Sequence, residues 1–341
     1  MVDFQSLADK AIHGKILTRE ECLAVIGSHD DRMLELLHAA FTVRQRYYGR
    51  KVRLQMLLNA KSGACLEDCG YCSQSALSTA AIDHYGLLPK ADMVEGARRA
   101  AAAKAQRYCI VISGRSPLDR EVAEIAEAVR TIKHESSIQV CCSLGLLNET
   151  QARRLKAAGV DRINHNLNTS ETYHAAICTT HTFQDRLATI RHARAAGLEI
   201  CSGGIVGMGE QDEDIVDLAF ALRDVKPDSI PLNMLHPVVG TPLERCRHLT
   251  PQRCLKILCL FRFLHPRTEI RVAGGREFNL KTLQPLALYP ADSLFVGGYL
   301  TTPGQPPAEV WKMISDLGFE LEVSIDAPQA EGLGITAPLL R

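Results

Sequence analysis

The sequence has no excess of charge of either sign: 39 Lys and Arg stand against 39 Asp and Glu in 341 residues. It therefore lacks the basic footprint of a nucleic-acid-binding surface, and no nucleic-acid partner is expected. No apolar run approaches the ~18 residues that a membrane-spanning helix needs, so no membrane association is expected. The opening stretch, MVDFQSLADKAIHGK, is charged throughout and has no apolar core of the kind a secretory leader contains. The cytoplasm is the expected compartment. There is no repeat at a solenoid period and no low-complexity segment. Tryptophan occurs once, at Trp311, and is assigned to packing on the last helix.

Cysteine, by contrast, is abundant, with twelve residues. In a reducing compartment this number speaks for metal binding or catalysis rather than disulfides, although Cys also serves as a small core residue. Three of the twelve, Cys65, Cys69 and Cys72, lie in NAKSGACLEDCGYCSQS with the spacing C-x3-C-x2-C. Structural zinc takes four protein ligands, usually as two close pairs, and thiol redox chemistry takes two thiols. Three thiolates on one loop suit a metal centre that keeps a position open for a non-protein ligand. Zinc completed by a distant residue is the alternative.

Residues 4–48 read as helices over Phe4–Ile12, from Thr18 onward, and over Arg32–Tyr48. TREE at 18–21 has the form of a capping box, with Thr18 as N-cap and Glu21 three residues on. Beyond residue 48, β-rich runs fall at 53–59, 108–113, 138–144, 162–167, 199–207, 229–235, 269–274 and 293–300. They alternate with helical segments such as 91–106 and 182–197. Such alternation implies parallel β-α units. Eight runs predict an α/β fold of the (β/α)8 TIM-barrel type over 49–320, with a helical N-terminal extension, 1–48, and a C-terminal tail, 321–341. An open doubly wound sheet is the alternative. Barrel chemistry sits at the C-terminal ends of the strands, and the three-cysteine loop follows the first of them directly.

Cys109, the pair Cys141–Cys142, and Cys201 fall in the second, third and fifth runs. Side chains alternate faces along a strand, so only one of Cys141 and Cys142 can point inward. A barrel axis is ordinarily filled by branched apolar residues. Inward thiols from three strands, joined by Arg271 of the seventh run, suggest a second metal cluster, because a buried arginine must be paired or coordinated. GGIVGMGE at 203–210 is a glycine-rich strand end that lets a ligand approach the backbone.

The C-x3-C-x2-C loop resembles the signature of radical S-adenosylmethionine enzymes, with Tyr71 as the aromatic before the last cysteine. The wider chain, from about residue 40 to about residue 320, resembles the biotin synthase family. That likeness is carried by ACLEDCGYCSQS, INHNLNTS at 163–170, CSGGIVGMGE at 201–210, SIPLNML at 229–235 and IRVAGGRE at 270–277. It implies homodimeric barrels that convert dethiobiotin to biotin. It also implies that Cys65, Cys69 and Cys72 hold a [4Fe–4S] cluster whose open iron is chelated by S-adenosylmethionine. Cys109, Cys141 rather than Cys142, Cys201 and Arg271 would hold a [2Fe–2S] cluster, one sulfide of which is the sulfur donor. Asn164 and Asn166 would share a strand face, with Asn166 near ribose and substrate. Ile205 would lie against the adenosine, Asn233 would touch substrate or adenosine, and Arg186 would pair with the methionyl carboxylate. A 5′-deoxyadenosyl radical would take hydrogen from C9 of dethiobiotin. A second S-adenosylmethionine would then activate C6, closing the ring around sulfur. An electron donor of flavodoxin or ferredoxin type and the iron–sulfur assembly machinery are the implied protein partners. Asn168 stands where some members have aspartate, and can still hydrogen-bond a ribose hydroxyl without bringing charge. The second strand continues as IVISGRSP, which differs from other members at Ser113 and Gly114.

Cys22, Cys178, Cys246, Cys254 and Cys259 are read as core thiols or incidental ones. His165 is expected to face away from Asn164 and Asn166, outside the barrel. His181 and His236 are expected to be structural or solvated, and Glu277 in GGREFN to orient a neighbouring arginine. Two other functions fit part of the pattern. A maturase or mutase of the same superfamily would share the first loop but lack the Cys109, Cys141, Cys201 and Arg271 set. A non-catalytic iron–sulfur carrier would have no use for GGIVGMGE or Arg186.

Overall fold

The computed structural model describes residues 2–322. Three helices, α1 (Phe4–Ile12), α2 (Arg19–Ile26) and α3 (Met33–Tyr48), precede the first strand. Their starts are chemically marked. The Asp3 side chain accepts from the amides of Gln5 and Ser6. Thr18 Oγ1 accepts from the Glu21 amide at 3.2 Å while the Glu21 carboxylate accepts from the Thr18 amide at 2.9 Å, the reciprocal box that the sequence predicts. Phe4, Leu7 and Ala11 of α1 and Leu36, Leu37 and Val43 of α3 are buried. They join the main hydrophobic core together with the buried helix Pro251–Leu264. The extension is thus an outer layer on the same core.

The strands are β1 (Lys51–Lys61), β2 (Arg107–Ile112), β3 (Gln139–Ser143), β4 (Arg162–Asn164), β5 (Glu199–Cys201), β6 (Gly204–Val206), β7 (Ser229–Met234), β8 (Glu269–Val272), β9 (Ser293–Phe295) and β10 (Glu320–Leu321). Every pairing among them is parallel, and β9 returns to β1 with Ser293 opposite Arg53, so the sheet closes. β5 and β6 occupy one stave, since both pair with β7. The result is an eight-stave (β/α)8 barrel.

Two details depart from the sequence reading. The fifth run is not one strand: Ser202 and Gly203 interrupt it, opposite Pro231 of β7. Proline has no N–H to give a ladder, and the backbones close on each other there. A Cβ at Gly203 would lie 2.0 Å from the Pro231 carbonyl oxygen. Gly203→Ala is therefore expected to lower stability by at least about 1–3 kcal/mol, as overpacked cores do, and a urea unfolding midpoint equal to wild type would refute the close approach. The second departure is β10, which adds to the start of β1 through Lys51–Glu320 and Val52–Leu321. Of the expected tail, 321–341, all residues from 323 onward lie outside the described ones. No helix among the described residues is long and apolar enough to cross a membrane.

Candidate active site

The barrel axis is built in layers, and strand periodicity sets them. Arg107, Gln139, Arg162 and Glu269 each stand two residues before Cys109, Cys141, Asn164 and Arg271, so they share the same strand face. These earlier residues form a polar floor. Glu269 is buried and accepts from Gln55 Nε2 at 2.6 Å, Arg271 Nη2 at 2.6 Å and Arg162 Nη1 at 3.1 Å, with Arg107 Nη1 at 3.6 Å. Burial pushes its carboxyl up, but Arg271, Arg162 and Arg107 outweigh this and hold it well below the usual carboxylate range. Sequence reasoning missed this floor. Its signal was the polar residue two places ahead of each functional one, in RYC, QVC and EIR.

The next layer holds the buried thiols. Cys109 and Cys141 are register partners on β2 and β3, and they cluster with Val111. Cys142 instead belongs to the main apolar core, as alternation of faces requires. Cys201 on β5 lies 3.4 Å from Arg271 Nη1 and 3.2 Å from Asn164 Nδ2. Arg271 is also fixed by Ser229 Oγ at 2.7 Å and Ser293 Oγ at 3.3 Å.

Above the thiols a cavity of about 400 Å³ opens at the C-terminal ends of the strands, and Cys65, Cys69 and Cys72 border it. Asn164, Asn166, Ile205 and Asn233 line it as well. Asn166 Oδ1 accepts from the Gly203 amide at 3.1 Å. Asn233 braces two strands, donating to the Gly204 carbonyl at 3.1 Å and accepting from the Gly274 amide at 3.0 Å. Asn168, at φ +73°, donates to the Tyr71 hydroxyl at 2.5 Å, so it ties the cysteine loop to the strand ends. Ser113 and Gly114 also border the cavity.

Arg186 reaches the cavity from the helix Phe183–Ala195. Its Nη1 donates to the Asn166 carbonyl at 3.0 Å, its Nε to His174 Nε2 at 3.4 Å, and its Nη2 to His181 Nε2 at 2.6 Å. The other His181 nitrogen faces Glu67 of the cysteine loop. Burial pushes the Glu67 carboxyl up, but hydrogen bonds from His181 and Thr180 hold it below its ordinary value.

Among the histidines, one expectation needs correction, that for His165. His181 takes the structural role of the two expected for it, buried between Glu67 and Arg186. His165 is not outside the barrel: it is buried and borders the central cavity, and burial holds its imidazole well below the ordinary histidine value. Regular strand ends at Asn164, so strict alternation does not extend to His165. His236 is half-buried, stacks on Phe278 with ring centroids 4.7 Å apart and borders the cavity. Glu277 does meet an arginine, accepting from Arg276 Nε at 3.2 Å. Cys178 is a buried core thiol, but it lies 3.6 Å from Cys69.

The donor sets fit two iron–sulfur clusters. On the rim, three thiols of one loop border an open cavity, which leaves room for a fourth, non-protein ligand. Inside, three thiols and the Arg271 guanidinium converge above two further buried arginines, Arg107 and Arg162, and these three arginines face one fully buried carboxylate, Glu269, and one half-exposed one, Glu199. That surplus of positive charge suits a group that carries thiolates and sulfides.

The Radical SAM superfamily model matches residues 60–222, and the Biotin and Thiamin Synthesis associated domain matches residues 231–320. The biotin synthases of Bacillus licheniformis and of Bacillus subtilis strain 168 are each 52% identical over 322 residues, which is 94% of this chain and 97% and 96% of theirs. Among solved structures, methylornithine synthase aligns with a TM-score of 0.82 at 20% identity, covering 93% of this chain and 97% of that one. The FeFe-hydrogenase maturase of Carboxydothermus hydrogenoformans aligns at 0.79 and 18% identity, covering 96% and 81%. These two structures share the fold, whereas the Bacillus enzymes share half of the residues over nearly full length: the chain belongs to the biotin synthase family of radical S-adenosylmethionine enzymes.

Proposed function

We propose that the cavity between the three-cysteine loop and the buried thiols is where this sulfurtransferase inserts sulfur between C6 and C9 of dethiobiotin, the last step of biotin biosynthesis. The observation that carries the reading is the stacking of two thiol sets along one axis, with the cavity above the inner one. Cys65, Cys69 and Cys72 hold the [4Fe–4S] cluster, and Cys109, Cys141, Cys201 and Arg271 hold the [2Fe–2S] cluster. When bound, these groups supply the electron that cleaves S-adenosylmethionine and the sulfur atom that enters the product.

The protein's own part is binding and alignment. Of the five N–H groups of Arg186, three are engaged among the described residues. One N–H on each terminal nitrogen is left, the fork that a methionyl carboxylate takes in bidentate fashion. Asn166 has its carbonyl committed to Gly203 and offers its amide to a ribose or substrate oxygen. Ile205 and Asn233 form the wall against adenosine and substrate. The barrel walls around the cavity keep a reactive radical facing the correct C–H bond. The chain divides into a helical extension, 1–48, and a catalytic barrel, 49–320. It acts in the cytoplasm as a homodimer, drawing electrons from a flavodoxin- or ferredoxin-type donor and its clusters from the iron–sulfur assembly machinery.

The reading is tested by anaerobic reconstitution with S-adenosylmethionine, dethiobiotin and a flavodoxin-type reductant, with products quantified by mass spectrometry. Biotin is expected with about two equivalents of 5′-deoxyadenosine, one per C–H bond broken. Neither product from protein with a full [4Fe–4S] complement would overturn it. Arg186→Lys is expected to weaken S-adenosylmethionine binding by at least about tenfold, roughly 1.4 kcal/mol, because an ammonium cannot form the fork. Calorimetric titration of the reconstituted protein checks this, and an unchanged Kd would remove Arg186 from the site.

A further inference from the structure

Cys178 takes no part in the chemistry above, yet its sulfur sits against a sulfur that does. Cys178 Sγ lies 3.6 Å from Cys69 Sγ, 3.5 Å from Thr180 Oγ1 and 3.3 Å from His181 Nδ1. This approach is not left to a loose loop. The segments carrying the two thiols are laced together: the Gly70 amide donates to the Ile177 carbonyl at 2.9 Å, and the Asp68 carboxylate accepts from the amides of Thr179 and Thr180 at 2.9 and 3.2 Å.

The direction of the hydrogen bonds follows from the neighbours. Arg186 can only donate, so His181 Nε2, 2.6 Å from Arg186 Nη2, must accept. In the neutral ring the proton then resides on Nδ1, which faces Glu67 and the Cys178 sulfur. That N–H goes to the Glu67 carboxylate, the nearer and charged acceptor, so Nδ1 has no lone pair to offer Cys178, and the Cys178 S–H is not spent on His181. Of the acceptors within reach, the Asp68 carboxylate already accepts from the amides and hydroxyls of Thr179 and Thr180, and the Thr180 hydroxyl is neutral, whereas a metal-bound Cys69 thiolate has no proton and carries negative charge.

We propose that Cys178 donates a hydrogen bond to the sulfur of Cys69 and thereby raises the reduction potential of the [4Fe–4S] cluster. The physical reason is that the reduced cluster carries one more negative charge, part of it on its thiolates. A donor to such a sulfur stabilises the reduced form more than the oxidised one. The same contacts link this sulfur through His181 to Arg186, so the potential and the S-adenosylmethionine clamp share one support.

The inference rests on Cys69 as a cluster ligand, and the test keeps the two apart. The full chain is reconstituted with both clusters, and the [4Fe–4S] midpoint is measured by an EPR-monitored redox titration. Cys178→Ala and Cys178→Val, which lack a donor and differ in volume, are each expected to shift the reduction equilibrium about tenfold toward the oxidised form, or about 59 mV for one electron. Cys178→Ser, which keeps an O–H donor, is expected to stay within about threefold of wild type, roughly 30 mV by the same conversion. A shift below twofold in both apolar variants overturns the proposal. So does loss of the cluster from Ala and Val variants with retention in Ser at an unchanged potential, which marks a structural role. Full iron content in Cys69→Ala overturns the ligand assignment and the hydrogen bond with it. Loss of the cluster in Cys69→Ala together with unmoved potentials in the Cys178 variants overturns the hydrogen bond alone.

Discussion

Cys141→Ala protein is expected to make no measurable biotin while still cleaving S-adenosylmethionine to 5′-deoxyadenosine, whereas Cys142→Ala is expected to make both. The two cysteines are adjacent in sequence and differ only in the face they take. Cys141 sits with Cys109 inside the barrel, and Cys142 packs in the apolar layer behind it. On the proposed ligand assignment, removing a donor from the inner set strikes sulfur delivery and leaves the rim loop intact. The loss in biotin should exceed the ~100-fold that outer-shell changes cost at metal sites. Cys142→Ala removes a small buried group, so its penalty falls on stability, about 1 kcal/mol or more for the cavity created, and not on the product ratio. Mass-spectrometric quantification of both products in the two variants decides it. Biotin at wild-type level from Cys141→Ala would exclude Cys141 from the inner cluster. Loss of deoxyadenosine as well would show that the two centres are not separable as layered.

The barrel and its rim were legible because both are written in local pattern. Eight β-rich runs separated by helical ones specify staves, TREE specifies a helix start, and three cysteines in one loop need no tertiary knowledge. What was not legible depends on which strand neighbours which. The break at Ser202–Gly203 is caused by Pro231, some thirty residues away in sequence and opposite in space. His181 reads as an ordinary histidine until the fold puts Glu67 on one nitrogen and Arg186 on the other. Cys178 reads as a core thiol, which it is, but only the lacing of 68–70 to 177–180 reveals which sulfur it faces. His165 went astray for a different reason: period-two alternation was carried one residue past the end of β4.

Glu269→Gln is expected to lower the stability of the cluster-free protein by about 3–5 kcal/mol, the cost of breaking a buried ion pair from one side. Glutamine keeps the shape and can still meet Gln55. It brings no charge, however, and Arg107, Arg162 and Arg271 would remain buried around it without a fully buried counter-charge. The sign of the pH dependence follows from the carboxyl being held well below its ordinary value. A depressed carboxylate contributes stability in full above its unfolded value, about 4.3, and loses that contribution only as pH falls through the lower folded value. The gap between wild type and Glu269→Gln should therefore be constant from pH 8 to about pH 5 and shrink only in stronger acid. Denaturant unfolding of both proteins under anaerobic conditions at several pH values measures it. A gap under about 1 kcal/mol at neutral pH would mean that water and the half-exposed Glu199, which already meets Arg162 at 2.7 Å, suffice for the arginines without Glu269. On the proposed ligand assignment, loading the inner cluster should narrow the gap, because its thiolates and sulfides would supply Arg271 with negative charge in addition to that of Glu269. The floor carboxylate thus fixes Arg271 with no cluster bound, and a cluster held as proposed would give Arg271 a second negative charge to meet.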